Sequence, residues 1–313
     1  MIVSASRRTD IPCYYSEWFI NRIKQRFVVV RNPMNAHQMS KIDLSPDVVD
    51  CIAFWTKNPK PMMPSLGELK DYMYYFQFTL NAYATDIEPN VPSKNDRVIP
   101  VFQRLSDKIG PDRVIWRYDP ILINDKYSVE HHIKYFERIA KSLEGYTKKC
   151  TISFIDFYRN TTKNMKGLHI KKSTPVEQTA LAKNLSEIAA SYHLKMDTCA
   201  EAIDLSKYGI AHAKCIDNEL IEKLIGCKLN VQKDKNQRME CGCVSSIDIG
   251  MYNTCRNGCK YCYANYSEKT VRTNMQNHNP ISPLLCGELT DDDVVKQRTV
   301  KSLKERQVTF FDQ

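Results

Sequence analysis

The stretch VIWRYDPILINDKYSVEHHIKYFERIAKSLEGYTKKCTISFI, residues Val114–Ile155, contains one complete strand–helix–strand unit. Val114–Tyr118 is a short apolar run of the kind that forms a strand covered on both faces. Ser128 is a good N-cap, and Val129, Ile133, Phe136, Ala140 and Leu143 follow it as a helical apolar stripe. Cys150–Ile155 is a second apolar strand. A strand, a helix and a strand in this order predict a parallel pair with a crossover.

The same pattern extends in both directions. Ile2–Ser6, Phe27–Arg31, Cys51–Trp55, Phe76–Leu80 and Leu194–Thr198 read as further strands. Thr174–Ala190 reads as a helix, with Thr174 as cap, Pro175 at the first helical position and Glu177 completing a capping box. Asp217–Ile225 reads as another helix, stopped by Gly226. About seven strands in alternation with helices predict an α/β fold, a (β/α) barrel-like parallel sheet, with an open doubly wound sheet as the alternative. From residue 228 the pattern breaks into a polar, basic loop, and helical character is expected again near Thr290–Lys304. The expected division is a barrel-like domain over 1–227 and a cysteine-rich region over 228–313, packed on the barrel mouth.

Of the 313 residues, 42% are hydrophobic and 26% charged, as in an ordinary globular chain with a real core. No run is long enough to span a bilayer, and MIVSASRRTD has no apolar signal core, so a cytoplasmic location and no membrane partner are expected. In that setting twelve cysteines point to metal or redox chemistry rather than disulfides. The net charge of +9 admits a phosphorylated or nucleic-acid substrate.

Active sites of parallel barrels lie at the C-terminal ends of the strands. Here those ends carry Arg7, Arg8 and Asp10, then Thr56, Lys57 and Asn58, then Arg117 and Asp119, and finally Cys199 and Glu201. Arg7, Arg8 and Arg117 are candidates to clamp a carboxylate or phosphate, while Asp10, Asp119 and Glu201 are candidates to orient them or move protons. Taken singly, each reads first as a loop residue where a strand stops, and it is the set together that points to a site. No glycine-rich phosphate loop is present.

The segment TCRNGCKYCYAN carries C-x3-C-x2-C at Cys255, Cys259 and Cys262. Thiolates are soft ligands for iron–sulfur clusters or zinc, and Gly258 permits the tight turn that lets three sulfurs converge. Structural zinc more often uses paired C-x2-C spacings, which favours a cluster. Cys199, Cys215, Cys241 and Cys243 are a second candidate set, for another cluster, for zinc or for a fourth ligand to the first. Four thiols packed as small hydrophobes are the alternative. His212 is a further candidate ligand. His131 and His132 adjoin on a helix and read as surface residues.

The cysteine motif resembles that of the radical S-adenosylmethionine (SAM) superfamily, and its YCYA ending resembles the spore photoproduct lyase group. The resemblance implies a 4Fe–4S cluster on Cys255, Cys259 and Cys262, SAM on the remaining iron, Tyr261 beside the adenine, and radical chemistry. The motif here follows the last strand, whereas in the superfamily it follows the first. More broadly, SASRRTDIP, WTKNP, WRYDP and the CGC…DIG…CYAN tail resemble a family of uncharacterised bacterial proteins with a C-terminal radical-SAM-like cysteine cluster. The expected function is therefore an iron–sulfur enzyme acting on an unidentified substrate at the barrel mouth, with an electron donor such as ferredoxin or flavodoxin. The alternatives are a cluster- or zinc-stabilised nucleic-acid-binding protein and an electron-transfer protein.

Overall fold

Strands that are apolar along their whole length need a cover on each face, and the computed structural model, which describes residues 1–305, supplies both. The strands are β1 (Ile2–Ala5), β2 (Phe27–Asn32), β3 (Asn35–Asp43), β4 (Cys51–Thr56), β5 (Tyr74–Thr79), β6 (Val114–Ile121), β7 (Lys149–Phe154), β8 (Lys195–Thr198), β9 (Ala211–His212), β10 (Ile247–Asp248) and β11 (Val294–Gln297). The α-helices are α1 (Ile11–Tyr14), α2 (Ser16–Gln25), α3 (Ile99–Ile109), α4 (Val129–Leu143), α5 (Arg159–Asn164), α6 (Pro175–Ser191), α7 (Asn218–Ile225) and α8 (Glu268–Gln276).

Eight strands form one parallel sheet in the order β10-β1-β4-β5-β6-β7-β8-β9. The sheet curls until its edges meet. Val244 N, ahead of β10, donates to Ile216 O, just past β9, at 3.1 Å. This is the barrel-like α/β architecture expected from the alternation.

Phe54, Phe76, Phe78, Trp116 and Ile152 point outward into the main apolar core beneath the helices. The opposite face holds Ile2, Cys51, Ala53, Tyr75 and Ile115 near the N-terminal ends of the strands. Farther along that face come the buried polar residues Ser4, Gln77, Arg117 and Ser153. The interior is therefore apolar at the bottom and polar toward the mouth.

The expected caps are present. Ser128 Oγ accepts from His131 N, Thr174 and Glu177 form the capping box, and Gly226 ends α7 in the left-handed region.

Several expectations are corrected. Phe27–Arg31 is a strand, but it belongs to a separate three-stranded sheet, β11-β3-β2, outside the barrel. Its partner β3 is mostly exposed and lacks the apolar signal that marks a strand. The segment Thr290–Lys304 is not helical. Val294–Gln297 instead adds to the open edge of β3, where backbone pairing outweighs a weak helical pattern. His132 is not a surface residue. It is fully buried, bonded to Tyr118 and Leu122, because α4 turns that side toward the barrel together with Phe136 and Ile139. No helix among the described residues is long and apolar enough to cross a membrane.

Candidate functional site

The cysteine loop is closed at its base by one residue. Asn253 N donates to Ala264 O at 3.0 Å, and Asn253 Oδ1 accepts from Tyr266 N at 2.8 Å. Between these points the chain lies across the C-terminal rim of the barrel. Tyr14 donates to Asn257 Oδ1 at 2.7 Å, Asn257 donates to Asp10 at 3.2 Å, and Lys260 N donates to Ile87 O at 3.0 Å. Gly258 has φ +67, and a β-carbon there would lie 3.1 Å from Pro89 Cγ. The turn expected at this glycine is present, pressed against the rim.

Tyr261 pins the loop to the mouth. Its hydroxyl donates to Glu88 and accepts from Lys57 at 2.6 Å and Asn81 at 3.1 Å. Glu88 is buried between Lys57 and Lys94, each 2.7 Å away. Burial opposes its charge, but the two ammonium groups hold its carboxyl below the ordinary value. Sequence reasoning passed over Glu88, since it sits in a loop without periodicity and its partners lie far along the chain.

All three loop thiols are reduced, with Cys259 buried and Cys255 and Cys262 half-buried. Each lies within electrostatic reach of at least one of the others. Burial pushes Cys259 up to about 12, against the pull of Lys57, and raises Cys255 and Cys262 too. Among the described residues, no group of three or more His, Cys, Asp or Glu side chains is arranged to hold a metal ion.

The strand-end groups do not form one clamp. Asp10 is buried, caps α1, and also accepts from Lys57 N at 2.8 Å; burial lifts it to about 6. Arg8 stacks on Tyr252 and lies 3.9 Å from Asp248. Arg117 is bound to Asp119, which also accepts from Ser153. Glu201 accepts from Phe154 N at 2.7 Å, and burial raises it to about 7. Arg7 lies over Trp55, 5.4 Å from the ring, with a buried Nη2 that has no partner. Asp248, absent from the sequence-based candidates, ties the end of β1 to β10 by accepting from Ser4, Ser6 and Arg7 N.

Cys199, Cys215, Cys241 and Cys243 come together where the edges of the barrel meet. Cys199 Sγ and Cys215 Sγ are 3.3 Å apart, and Cys243 adjoins both Cys215 and Cys241. Arg117 Nη1 donates to Cys215 Sγ at 2.8 Å. Contact with Cys199 and Cys243, then the charges of Arg117 and Arg7, hold the Cys215 thiol well below its ordinary value despite burial. His212 is exposed on β9.

The chain belongs to the family described as "Domain of unknown function (DUF1848)", whose family model matches residues 2–264. No curated protein matches the chain. Among solved structures, one similar to it is described as a "putative alpha-L-fucosidase from Bacteroides thetaiotaomicron VPI-5482". The identity is 12%, with 56% of this chain and 72% of that chain covered, and the TM-score is 0.26.

Proposed function

We propose that this protein is an iron–sulfur enzyme of the radical-SAM-like kind, with Cys255, Cys259 and Cys262 holding a 4Fe–4S cluster over the barrel mouth. One observation carries this reading. Three reduced cysteines share a tight loop that Tyr261, Asn257 and Asn253 fasten across the C-terminal ends of the strands. The donor set fits the group, since three soft thiolates suit iron–sulfur ligation and leave one iron open. A cluster bound there would supply a single electron at the mouth.

The remaining work falls to the chain. Tyr261, Lys57 and Glu88 hold the loop in place and exclude water beneath it. Arg7, with Nη2 unpartnered beside Trp55, is the group available to bind an anionic part of the substrate. Asp10 and Asp248 position the segment that carries Arg7.

The test is anaerobic purification with iron and sulfide analysis, followed by electron paramagnetic resonance of the reduced protein with and without SAM. A cluster signal that moves on adding SAM, and is lost in the Cys255→Ser/Cys259→Ser/Cys262→Ser variant, is expected. A signal indifferent to SAM would leave an electron-transfer role. Absence of iron after attempted reconstitution would overturn the reading.

A further inference from the structure

The loop at the mouth leaves four other cysteines unused, and their surroundings differ from those of ordinary buried thiols. They come from three segments: Cys199 follows β8, Cys215 follows β9, and Cys241 and Cys243 precede β10. Cys215, Cys241 and Cys243 are buried, and Cys199 is half-buried. They form a row, Cys199–Cys215–Cys243–Cys241, along the seam of the barrel.

Donors converge on the middle of that row. Cys215 N and Ile216 N both point at Cys243 Sγ, at 3.2 and 3.3 Å. Arg117, itself buried, directs Nη1 at Cys215 Sγ, and Arg7 lies within electrostatic reach of both sulfurs. A neutral thiol is a weak acceptor and needs no such company. Metal-bound thiolates take N–H donors and positive charge as their outer support. Gly242 makes the approach feasible, since a β-carbon there would lie 3.0 Å from Lys214 Cγ and 3.1 Å from Ala213 O.

We infer that Cys199, Cys215, Cys241 and Cys243 together bind one zinc ion that staples the two edges of the barrel. An all-thiolate set selects zinc or iron. Zinc–sulfur bonds of about 2.3 Å place tetrahedral neighbours roughly 3.8 Å apart. The four thiols stand in a row rather than around one point, so binding requires the ends of the row, Cys199 and Cys241, to swing inward around the ion. A four-iron cube would need the sulfurs spread around a larger body. The seam also gives the ion a role. Among the described residues β9 and β10 are not paired as strands, and a metal there would join segments that the sheet does not.

The decisive measurement is metal analysis and zinc-edge X-ray absorption of the whole protein, expressed in zinc-supplemented medium and purified anaerobically with reductant. One equivalent of zinc with four sulfur neighbours at about 2.3 Å is expected. Cys215→Ser/Cys243→Ser should lose the zinc, and Cys255→Ser/Cys259→Ser/Cys262→Ser should retain it, which separates this site from the cluster loop. If the double variant does not fold, the wild-type spectrum still decides. Less than half an equivalent of zinc, nitrogen or oxygen ligands, iron in its place, or a Cys199–Cys215 disulfide would each overturn the proposal.

Discussion

The Lys57 ammonium lies 2.7 Å from the Glu88 carboxylate, beneath the tyrosine that fastens the cysteine loop to the barrel. The pair is buried, and Lys94 completes it from the other side. Removing one member of such a group costs more than replacing all of it, because the charges left behind are desolvated. Glu88→Gln should therefore lower stability by about 3–5 kcal/mol in urea unfolding. Lys57→Met/Glu88→Gln should cost less than the sum of the single changes. A loss below about 1 kcal/mol for Glu88→Gln would show that the triad does not hold the loop.

Asn253 closes the cysteine loop from a backbone φ of +55 while accepting from Tyr266 N and Ser267 N. Asparagine tolerates that conformation and alanine does not. Asn253→Ala should destabilise by about 2–3 kcal/mol, combining strain with two lost hydrogen bonds. Asn253→Asp keeps the acceptor and should stay near wild type. Hydrogen exchange across residues 254–265 should rise in the alanine variant alone, and equal exchange in both variants would contradict the closure.

Gly250 sits where the strand end carrying Ser6 passes the segment after β10. A β-carbon at 250 would fall 2.5 Å from Ser6 Cβ, which no rotamer can relieve. Gly250→Ala should cost about 1–3 kcal/mol by overpacking. Adding Ser6→Gly removes the obstructing atoms, so the double variant should recover part of the loss despite giving up the Ser6–Asp248 bond. Absence of any recovery would place the damage elsewhere.

His132 donates from Nε2 to Leu122 O and accepts the Tyr118 hydroxyl at Nδ1, so it is buried neutral. Burial lowers its pKa to about 4 from an ordinary 6.5. Between those values the unfolded chain binds a proton that the folded chain refuses, so stability falls as pH falls. The total is about 3 kcal/mol by pH 4. Asp10, raised by burial to about 6, acts with the opposite sign: its contribution is present below its unfolded pKa and is lost as pH rises toward 6. The readout is therefore the difference between wild type and His132→Gln in urea unfolding from pH 7 to 4. That difference should shrink by about 3 kcal/mol with acid, and a constant difference would refute the assignment.

Local patterns were legible because they depend on neighbours within a few residues. The apolar runs of β1, β4, β5, β6, β7 and β8, the caps at Ser128 and Thr174, the stop at Gly226 and the turn at Gly258 all follow from spacing and side-chain chemistry. Strand β3 and the two-residue strands β9 and β10 left no such mark, being exposed or too short to show a period. The strand-end polar groups were found as a class, but their partners were not. Arg117 was expected to meet an anion, whereas it is already committed to Asp119 and to Cys215, 98 residues away.

By itself the sequence determined the strand–helix alternation, hence a parallel α/β sheet, and the thiol-rich chemistry of its C-terminal third. Only the tertiary structure decided that the edges of the sheet meet, that four of the thiols line the seam, and that Glu88 and Lys57 anchor the cysteine loop. Period and capping are written in consecutive residues, whereas the pairing of buried charges and thiols depends on which distant segments the closed barrel brings into direct contact, 2.7 Å for Lys57 and Glu88 and 3.3 Å for Cys199 and Cys215.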